Sequence, residues 1–487
     1  MNALFRWLDE RVDLAGLKRA LLDREVPARL TWWHTLGSAT LAVFLVQAVT
    51  GVVLAVYYSP SPDHAYDSVQ FLNRQVGSGA LLRGMHHWAA SAMVVLLGAH
   101  MIRVFAVGAY KYPREINWLV GVGLFLIVMA FSFTGYLLPW DQKAYWATVV
   151  GTNIAGTTPV IGGFLVALLR GGAELGAATL ARFYAIHVLW LPGLIGVLVL
   201  LHLAMVVRQG IAPRPAALER GAPPRTTDPA YAAYYRDAYA ATKRAGARFW
   251  PDVLAKDAFV SLCVVVGILV LAAAFGSPLE PPADPSDTAY VPRPEWYFLP
   301  LYQLLRIVPG SLESVIAVGV PSALLIAMIT LPFFDRRAAR NLLHRPLAAG
   351  ALVVLLGGSG LLLGAAARGA PPRIPPEVGH PLRSVESAGR ALFNSQQCRT
   401  CHTVAGEGGQ VGPDLTEIGL HHSPAWLHSF LEEPRRFHPT GMMPAFGPPI
   451  LSHQEIEQLA QYLATLRGSA GPKAEPQYAD TFPETRP

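Results

Sequence analysis

The sequence predicts an all-α chain in which seven helices cross a membrane and a small α-helical domain follows them outside it. Three observations carry that expectation. Of 487 residues, 52% are apolar and only 15% are charged, so much of the chain meets lipid rather than water. Seven runs, at 37–57, 85–107, 117–137, 184–207, 257–276, 311–332 and 346–367, reach the roughly 20 predominantly apolar residues that cross about 30 Å of hydrocarbon. Beyond them, about 100 residues return to ordinary polar composition.

Taken in order, residues 1–29 alternate apolar and charged side chains with no central apolar stretch, which excludes a signal peptide and predicts an amphipathic N-terminal helix lying on the membrane within 1–36. The run at 159–169 is too short to cross and reads as a surface helix within a loop. The excess of 39 basic over 33 acidic residues is too small to argue for nucleic acid. The placement of the basic residues is more informative. Arg6, Arg11, Lys18, Arg19, Arg24 and Arg29, then Lys111 and Arg114, then a dense connector over 211–255, then Arg336, Arg337, Arg340 and Arg345 all fall on one side. That side is expected to be cytoplasmic, with the N-terminus on it and the C-terminus outside a bacterial inner membrane. Prolines 371, 372, 375, 376 and 381 predict a stiff linker at 368–383, ahead of a folded domain at 384–468 and a flexible tail at 469–487.

Only three cysteines occur, which excludes a disulfide framework, and Cys263 reads as an apolar filler in mid-span. The other two, with the next residue, form Cys398-x-x-Cys401-His402, the attachment motif of a covalent c-type haem. No second cysteine pair exists to complete a zinc site. The surroundings resemble small class I cytochromes c: an approach helix at 387–395, a turn at 412–415, and a closing helix at 454–466. Met443 before Pro444 is the expected sixth iron ligand, with Met442 its rival; methionine opposite histidine raises the reduction potential. His421, His422 and His438 read as solvated surface residues.

Histidines inside apolar spans are costly and mark function by default. The second span carries His86 and His100, fourteen apart, and the fourth carries His187 and His202, fifteen apart. At about 100° per residue, fourteen residues fall within about 40° of whole turns and fifteen overshoot by about 60°, so each pair shares roughly one helix face, with levels about 21 Å apart. His87 points about 140° away from His100 and reads as an interfacial or propionate-side residue. Two b-type haems are thereby expected, the outer held by His86 and His187 and the inner by His100 and His202. Gly37 and Gly51, and Gly121 and Gly135, repeat the fourteen-residue spacing on the first and third spans, where a missing side chain would admit a porphyrin edge. Arg83 is the candidate partner of an outer haem propionate.

With these residues in place, the chain resembles cytochrome b of quinol-oxidising cytochrome bc complexes. Phe44-Leu45-Val46-Gln47, the run Gly135-Tyr136-Leu137-Leu138-Pro139-Trp140-Asp141-Gln142 and the fifteen-residue histidine step look like the short cytochrome b of the photosynthetic branch. Residues from about 250, with Pro294-Glu295-Trp296-Tyr297, look like that branch's subunit IV. The resemblance implies a dihaem four-helix bundle at 37–210, a three-helix subunit IV-like part at 256–367, and a fused cytochrome c domain. One departure matters: Thr35 stands where that branch has a cysteine carrying a further covalent haem, and threonine forms no thioether.

The resemblance further implies that quinol is oxidised at the outer face, with one electron going to a Rieske iron–sulfur protein and then haem c. The other crosses through the two b haems to reduce quinone at the inner face, and protons leave outside. Glu295 is the expected proton acceptor, Tyr297 the residue that lines its pocket, and Arg208 a candidate at the inner quinone site. No Cys-His pattern here suits an iron–sulfur cluster, so the Rieske protein is expected as a partner chain, in a homodimeric complex that passes electrons to a soluble cytochrome or terminal oxidase. The competing expectation is a non-bifurcating conduit between a membrane dehydrogenase and an outer acceptor.

Overall fold

Apolar runs of this length have one stable form in lipid, a helix that satisfies its own backbone. In the computed structural model, helices long and apolar enough to cross a membrane are Trp32–Tyr57, Gly79–Ala106, Glu115–Leu137, Ala177–Gln209, Phe249–Phe275, Ser314–Phe334 and Pro346–Arg368. They are called here the first to seventh spans. The structure describes residues 3–172, 174–244, 246–285, 293–308, 310–368, 382–409, 411–439, 443–468 and 476–482. Its contacts form two units, one of Met1–Ala283 with Pro292–Ala366 and one of Asp284–Val291 with Ala367–Pro487. Most of the linker predicted at 368–383 lies outside the described residues.

In the first unit, Val43, Ala89, Met93, Leu97, Ile127, Val128, Ile195 and Ile268 from the first five spans form one buried cluster. The fourth span is not a plain α-helix. A π-turn at Ile186–Trp190 joins Ala177–Ala185 to Leu191–Gln209. Pro192 has no N–H to return to the preceding turn, which favours the wider turn just before it. The additional residue of that turn absorbs the fifteenth step between His187 and His202.

The N-terminal segment differs from the single amphipathic helix expected over 1–36. It forms two helices, Ala3–Val12 and Leu14–Leu21, broken where Asp13 adopts a left-handed conformation (φ 48°). The Asp13 carboxylate caps the second helix by accepting the Gly16 N–H at 2.8 Å, a local bond that competes with helix continuity. Glu25–Val26 then pairs antiparallel with Ala247–Arg248 of the connector. The loop after the third span holds Gly162–Arg170, close to the surface helix predicted at 159–169, and also a longer helix, Gln142–Gly156, that the sequence did not announce.

Several of the basic residues counted above as topogenic are buried staples. Lys111, 1% exposed, donates to Asp335 Oδ1 at 2.8 Å and to the carbonyls of Arg337 and Ala339 at 2.8 and 2.6 Å. Tyr110 and Arg345 also donate to Asp335. Arg340, 1% exposed, reaches the Gly108 and Tyr112 carbonyls at 2.8 Å each, and Arg345 reaches those of Phe105 and Ala106. The loop between spans two and three is thus sewn to the loop between spans six and seven. In the connector helix Tyr231–Arg244, Tyr235 and Tyr239 stack with ring centroids 5.8 Å apart, and Arg114 donates to the Tyr235 hydroxyl at 2.7 Å.

In the second unit, Ser384–Ser395 and His453–Leu463 cross where Gly389 meets the Gln458 carbonyl, and the Phe393 and Tyr462 rings pack at 5.5 Å. Phe393, Trp426, Leu431, Ile456, Leu459 and Leu463 belong to its core. The tail expected to be flexible is fastened over 476–482. Gln477 N–H donates to the Leu420 carbonyl, Ala479 N–H to that of His421, and Ser423 Oγ to Asp480 at 2.6 Å. Residues 469–475 and 483–487 lie outside the described residues.

Burial opposes ionisation of Asp335, but the hydrogen bonds from Lys111 and Tyr110 prevail and hold it below the ordinary carboxylate range. The stability it supplies is therefore present above the unfolded value of about 3.9 and lost as pH falls through the lower folded value. Burial lowers Lys111 to about 8 despite the same bond. Replacing Asp335 by Asn is expected to cost about 3–5 kcal/mol by leaving the buried Lys111 charge unpaired. Thermal unfolding in detergent at neutral and acidic pH checks this: the variant should melt lower at neutral pH and lose less on acidification.

Candidate functional site

The antiparallel packing of spans one with two and three with four sets each intramembrane histidine opposite a glycine. A Cβ on Gly37 would lie 3.2 Å from His100 Cε1, one on Gly51 3.3 Å from His86 Cε1, one on Gly121 3.8 Å from His202 Cε1, and one on Gly135 2.5 Å from His187 Cε1. All four predicted glycines thus face the four predicted histidines one to one. In the protein itself it is an imidazole that approaches each backbone.

The outer level is further organised. The His86 and His187 rings lie 6.4 Å apart, centre to centre. Two metal–nitrogen bonds of about 2 Å with two ring half-widths of about 1 Å come to about 6 Å, so one iron atom fits between them. Thr50 Oγ1 lies 2.9 Å from His86 Nδ1, and Thr134 Oγ1 3.1 Å from His187 Nδ1. Each hydroxyl spends its proton on the carbonyl four residues back, Val46 at 2.7 Å and Ala130 at 2.8 Å, so it accepts from Nδ1–H. Nε2 of each ring is left as the bare ligand nitrogen. These threonines directly precede Gly51 and Gly135, whereas Leu36 and Val120 precede the inner pair, so the support is confined to one level. Arg83, the expected propionate partner, donates from Nη1 to the Ser277 carbonyl at 2.8 Å and from Nη2 to the Pro278 carbonyl at 3.1 Å.

Beside the outer level, the stretch after the fifth span is pinned to the run ahead of helix Gln142–Gly156. Gln142 N–H donates to the Pro281 carbonyl at 2.9 Å, and Ala283 N–H to that of Trp140 at 3.0 Å. Asp141 accepts from Ala144 and Glu280 N–H groups at 2.8 and 3.1 Å. Glu295 meets a residue missed from the sequence, Lys143, whose Nζ lies 2.7 Å from Oε1. Trp296 donates to Ser91 Oγ at 3.3 Å. Tyr297 packs on Trp296 and Phe298, and burial followed by the Glu295 charge pushes its phenol up, so it stays a neutral donor.

At the opposite end, a largely apolar cavity of about 520 Å³ is lined by Trp33, His34, Arg103, Arg214 and neighbouring residues. His34 Nδ1 lies 3.1 Å from the backbone nitrogen, the hydroxyl and the carbonyl oxygen of Thr31, so Thr31 occupies that ring nitrogen and leaves Nε2. That nitrogen is buried and has no partner among the described residues. Arg208 is exposed and does not line the cavity. Arg103 lies one turn from His100, and His34 one turn from Gly37, so the cavity adjoins the inner histidine level.

In the second unit, Cys398 and Cys401 bracket a short 3-10 turn, Cys398–Thr400. His402 Nδ1 lies 2.8 Å from the Pro413 carbonyl, to which it can only donate, leaving Nε2 for iron. Gly412 lies against the same ring, which a side chain there would displace. Met443 packs against the domain core, and Met442 lies outside the described residues.

A family model described as Cytochrome b/b6/petB matches residues 21–210, one described as Cytochrome b(C-terminal)/b6/petD matches 282–377, and one described as Cytochrome c matches 386–467. The cytochrome b subunit of a menaquinol:cytochrome c reductase from Geobacillus thermodenitrificans is 46% identical over 220 residues, 44% of this chain and 98% of that protein. The chain belongs to the cytochrome b/b6 family. Cytochrome b6 of Synechococcus elongatus is 42% identical over 212 residues, 44% of this chain and 99% of that protein. A solved structure titled Hyperthermophilic respiratory Complex III aligns with a TM-score of 0.63 and 27% identity, covering 74% of this chain and 91% of that one. This member is a multi-pass membrane protein that carries b-type haem in its cytochrome b part and c-type haem in its cytochrome c domain.

Two outcomes are expected from spectra and redox titration of the purified protein. Gly135→Ala, which drives a methyl against His187, should lower b-type absorbance more than Gly121→Ala, where the contact is ordinary. Thr50→Val, which removes the acceptor for His86 Nδ1–H and so makes the ligand less basic, should raise the midpoint potential of one b-type component and leave the other in place.

Proposed function

We propose that this chain is the cytochrome b and c subunit of a proton-translocating quinol:cytochrome c oxidoreductase that works with a Rieske iron–sulfur partner and bifurcates the two electrons of quinol. Two b haems, held by His86 with His187 and by His100 with His202, and one c haem, held by Cys398, Cys401, His402 and Met443, would supply one-electron carriage. The observation that carries the reading is the coincidence, in one bundle, of the facing His86 and His187 rings, a second level of two histidines each set against a glycine, a carboxylate beside the first level, and a largely apolar cavity with His34, Arg103 and Arg214 on its wall beside the second.

At the outer site, Glu295 accepts a proton from a quinol hydroxyl, a step that requires a base within hydrogen-bond reach. Tyr297, kept neutral by burial, donates to the head group and holds it. At the inner site, His34 Nε2–H donates to a quinone oxygen, while Arg103 and Arg214 favour the negative charge that develops there on reduction. They replace Arg208 in that role, because they line the cavity and it does not. The cavity volume suits a ring head group. The basic connector and N-terminal segment are assigned to the cytoplasm, and the cytochrome c domain to the outer face. A tethered c-type domain has an effective concentration set by its linker, which suits it to take the Rieske electron before passing it to a soluble cytochrome or oxidase. The complex is taken to be a homodimer, as the family resemblance implies.

Oxidant-induced reduction in membranes tests bifurcation directly. On adding a pulse of oxidant with quinol present, b-type absorbance should rise transiently while c-type haem is oxidised. Oxidation of both together would mark a simple conduit and remove the proposal.

A further inference from the structure

We infer that Lys143 is a positioning residue of the outer site that holds Glu295 ready to accept the quinol proton and returns it to that state after the proton has left. The inference rests on the proposed quinol site. An ion pair in open water contributes little, but this one is not in open water: the Lys143 side chain is 30% exposed and that of Glu295 19%. Lys143 Nζ also lies 5.5 Å from the centre of the Tyr136 ring, so aromatic and carboxylate groups together fix the ammonium. The helix bearing it is locked to residues 280–283 by the Asp141 cap and the paired backbone bonds described above. The other charged or titratable groups facing the pair are Arg83, His87, Asp141 and Tyr297.

The geometry has a chemical consequence. Lys143 occupies Oε1 of Glu295, and no described residue hydrogen-bonds to Oε2, which is left as the acceptor. When quinol reacts, its O–H bond breaks and an O–H bond forms on the carboxylate, while the electrons leave by the routes proposed above. The acid is then neutral beside an ammonium that has lost its counter-charge. Loss of that proton to outer water re-forms the pair at 2.7 Å. Lys143 thus acts through Glu295 rather than on quinol, and its removal should slow turnover more than binding.

Steady-state oxidation of a short-tailed naphthoquinol by the purified complex tests this, with reduced-minus-oxidised spectra to confirm haem content. Lys143→Met is expected to lower kcat about tenfold, less than the roughly 10²–10⁴-fold that a general base itself contributes because Lys143 acts through that base, with KM changed less than twofold. Lys143→Arg should recover most of the loss, and Lys143→Met combined with Glu295→Gln should be no slower than Glu295→Gln alone. A Lys143→Met complex with kcat within twofold of the parent overturns the inference, as does a double variant whose loss is the product of the single losses. If Lys143→Met fails to retain b-type haem, Lys143→Gln, which keeps a donor without its charge, is judged by the same limits. If Glu295→Gln itself oxidises the quinol at the parent rate, the quinol-site reading fails, an outcome distinct from loss of the Lys143 role alone.

Discussion

Four imidazoles reach the interior of this bundle, each against a glycine of the facing helix, and at Gly37, Gly51 and Gly135 a side chain would crowd the ring. An imidazole in hydrocarbon needs partners for its nitrogens, and a backbone approached this closely cannot carry even a methyl group without displacement at Gly135. The glycines therefore set where the rings sit, and the threonines beside two of them set which nitrogen faces the centre. The position of the apolar cavity follows, since His34 and Arg103 lie one turn from Gly37 and His100 on the same two helices.

Much of this was legible in the sequence because helical periodicity is a strong signal. Histidines fourteen and fifteen residues apart on two helices, matched by glycines fourteen apart on two others, indicate which faces meet. The fifteen-residue step was the weak point, because a regular helix leaves His187 about 60° out of register. Its resolution required a π-turn, and the only trace of that in the sequence is Pro192 five residues on from His187. Similarly, Asp13 looks like any polar residue of an amphipathic helix until its carboxylate is seen to cap the next turn. Thr50 and Thr134 were within reach of inference, since both stand directly before a haem-level glycine.

Less legible were residues whose meaning depends on a distant partner. Lys143 stands 152 positions from Glu295, and neither periodicity nor local motif brings them together. The basic residues show the same limit in another way. Lys111, Arg340 and Arg345 count toward the charge asymmetry from which an orientation is read, yet in the folded chain they are buried and spent on carbonyls and Asp335. A count of basic residues treats them as interchangeable with Arg208, which is exposed. Burial of a charged side chain is a tertiary property, and composition alone does not reveal it.

The clasp formed by Lys111, Asp335, Arg340 and Arg345 has an implication for how such proteins are organised genetically. It joins the first three spans to the last two through side chains alone, and Trp118 adds a bond to the Met328 carbonyl at 2.7 Å between spans three and six. The connector at 211–255 takes part in the same clasp, since Glu219 accepts from the Arg340 and Asn341 N–H groups and Ala338 N–H donates to the Pro224 carbonyl, so the parts on either side of it are held by more than the chain that joins them. A reading frame interrupted there would yield two polypeptides already equipped to find and hold one another. Encoding this body as one product rather than two would change how its halves meet, since a tether fixes their effective concentration, but not which bonds hold them once met.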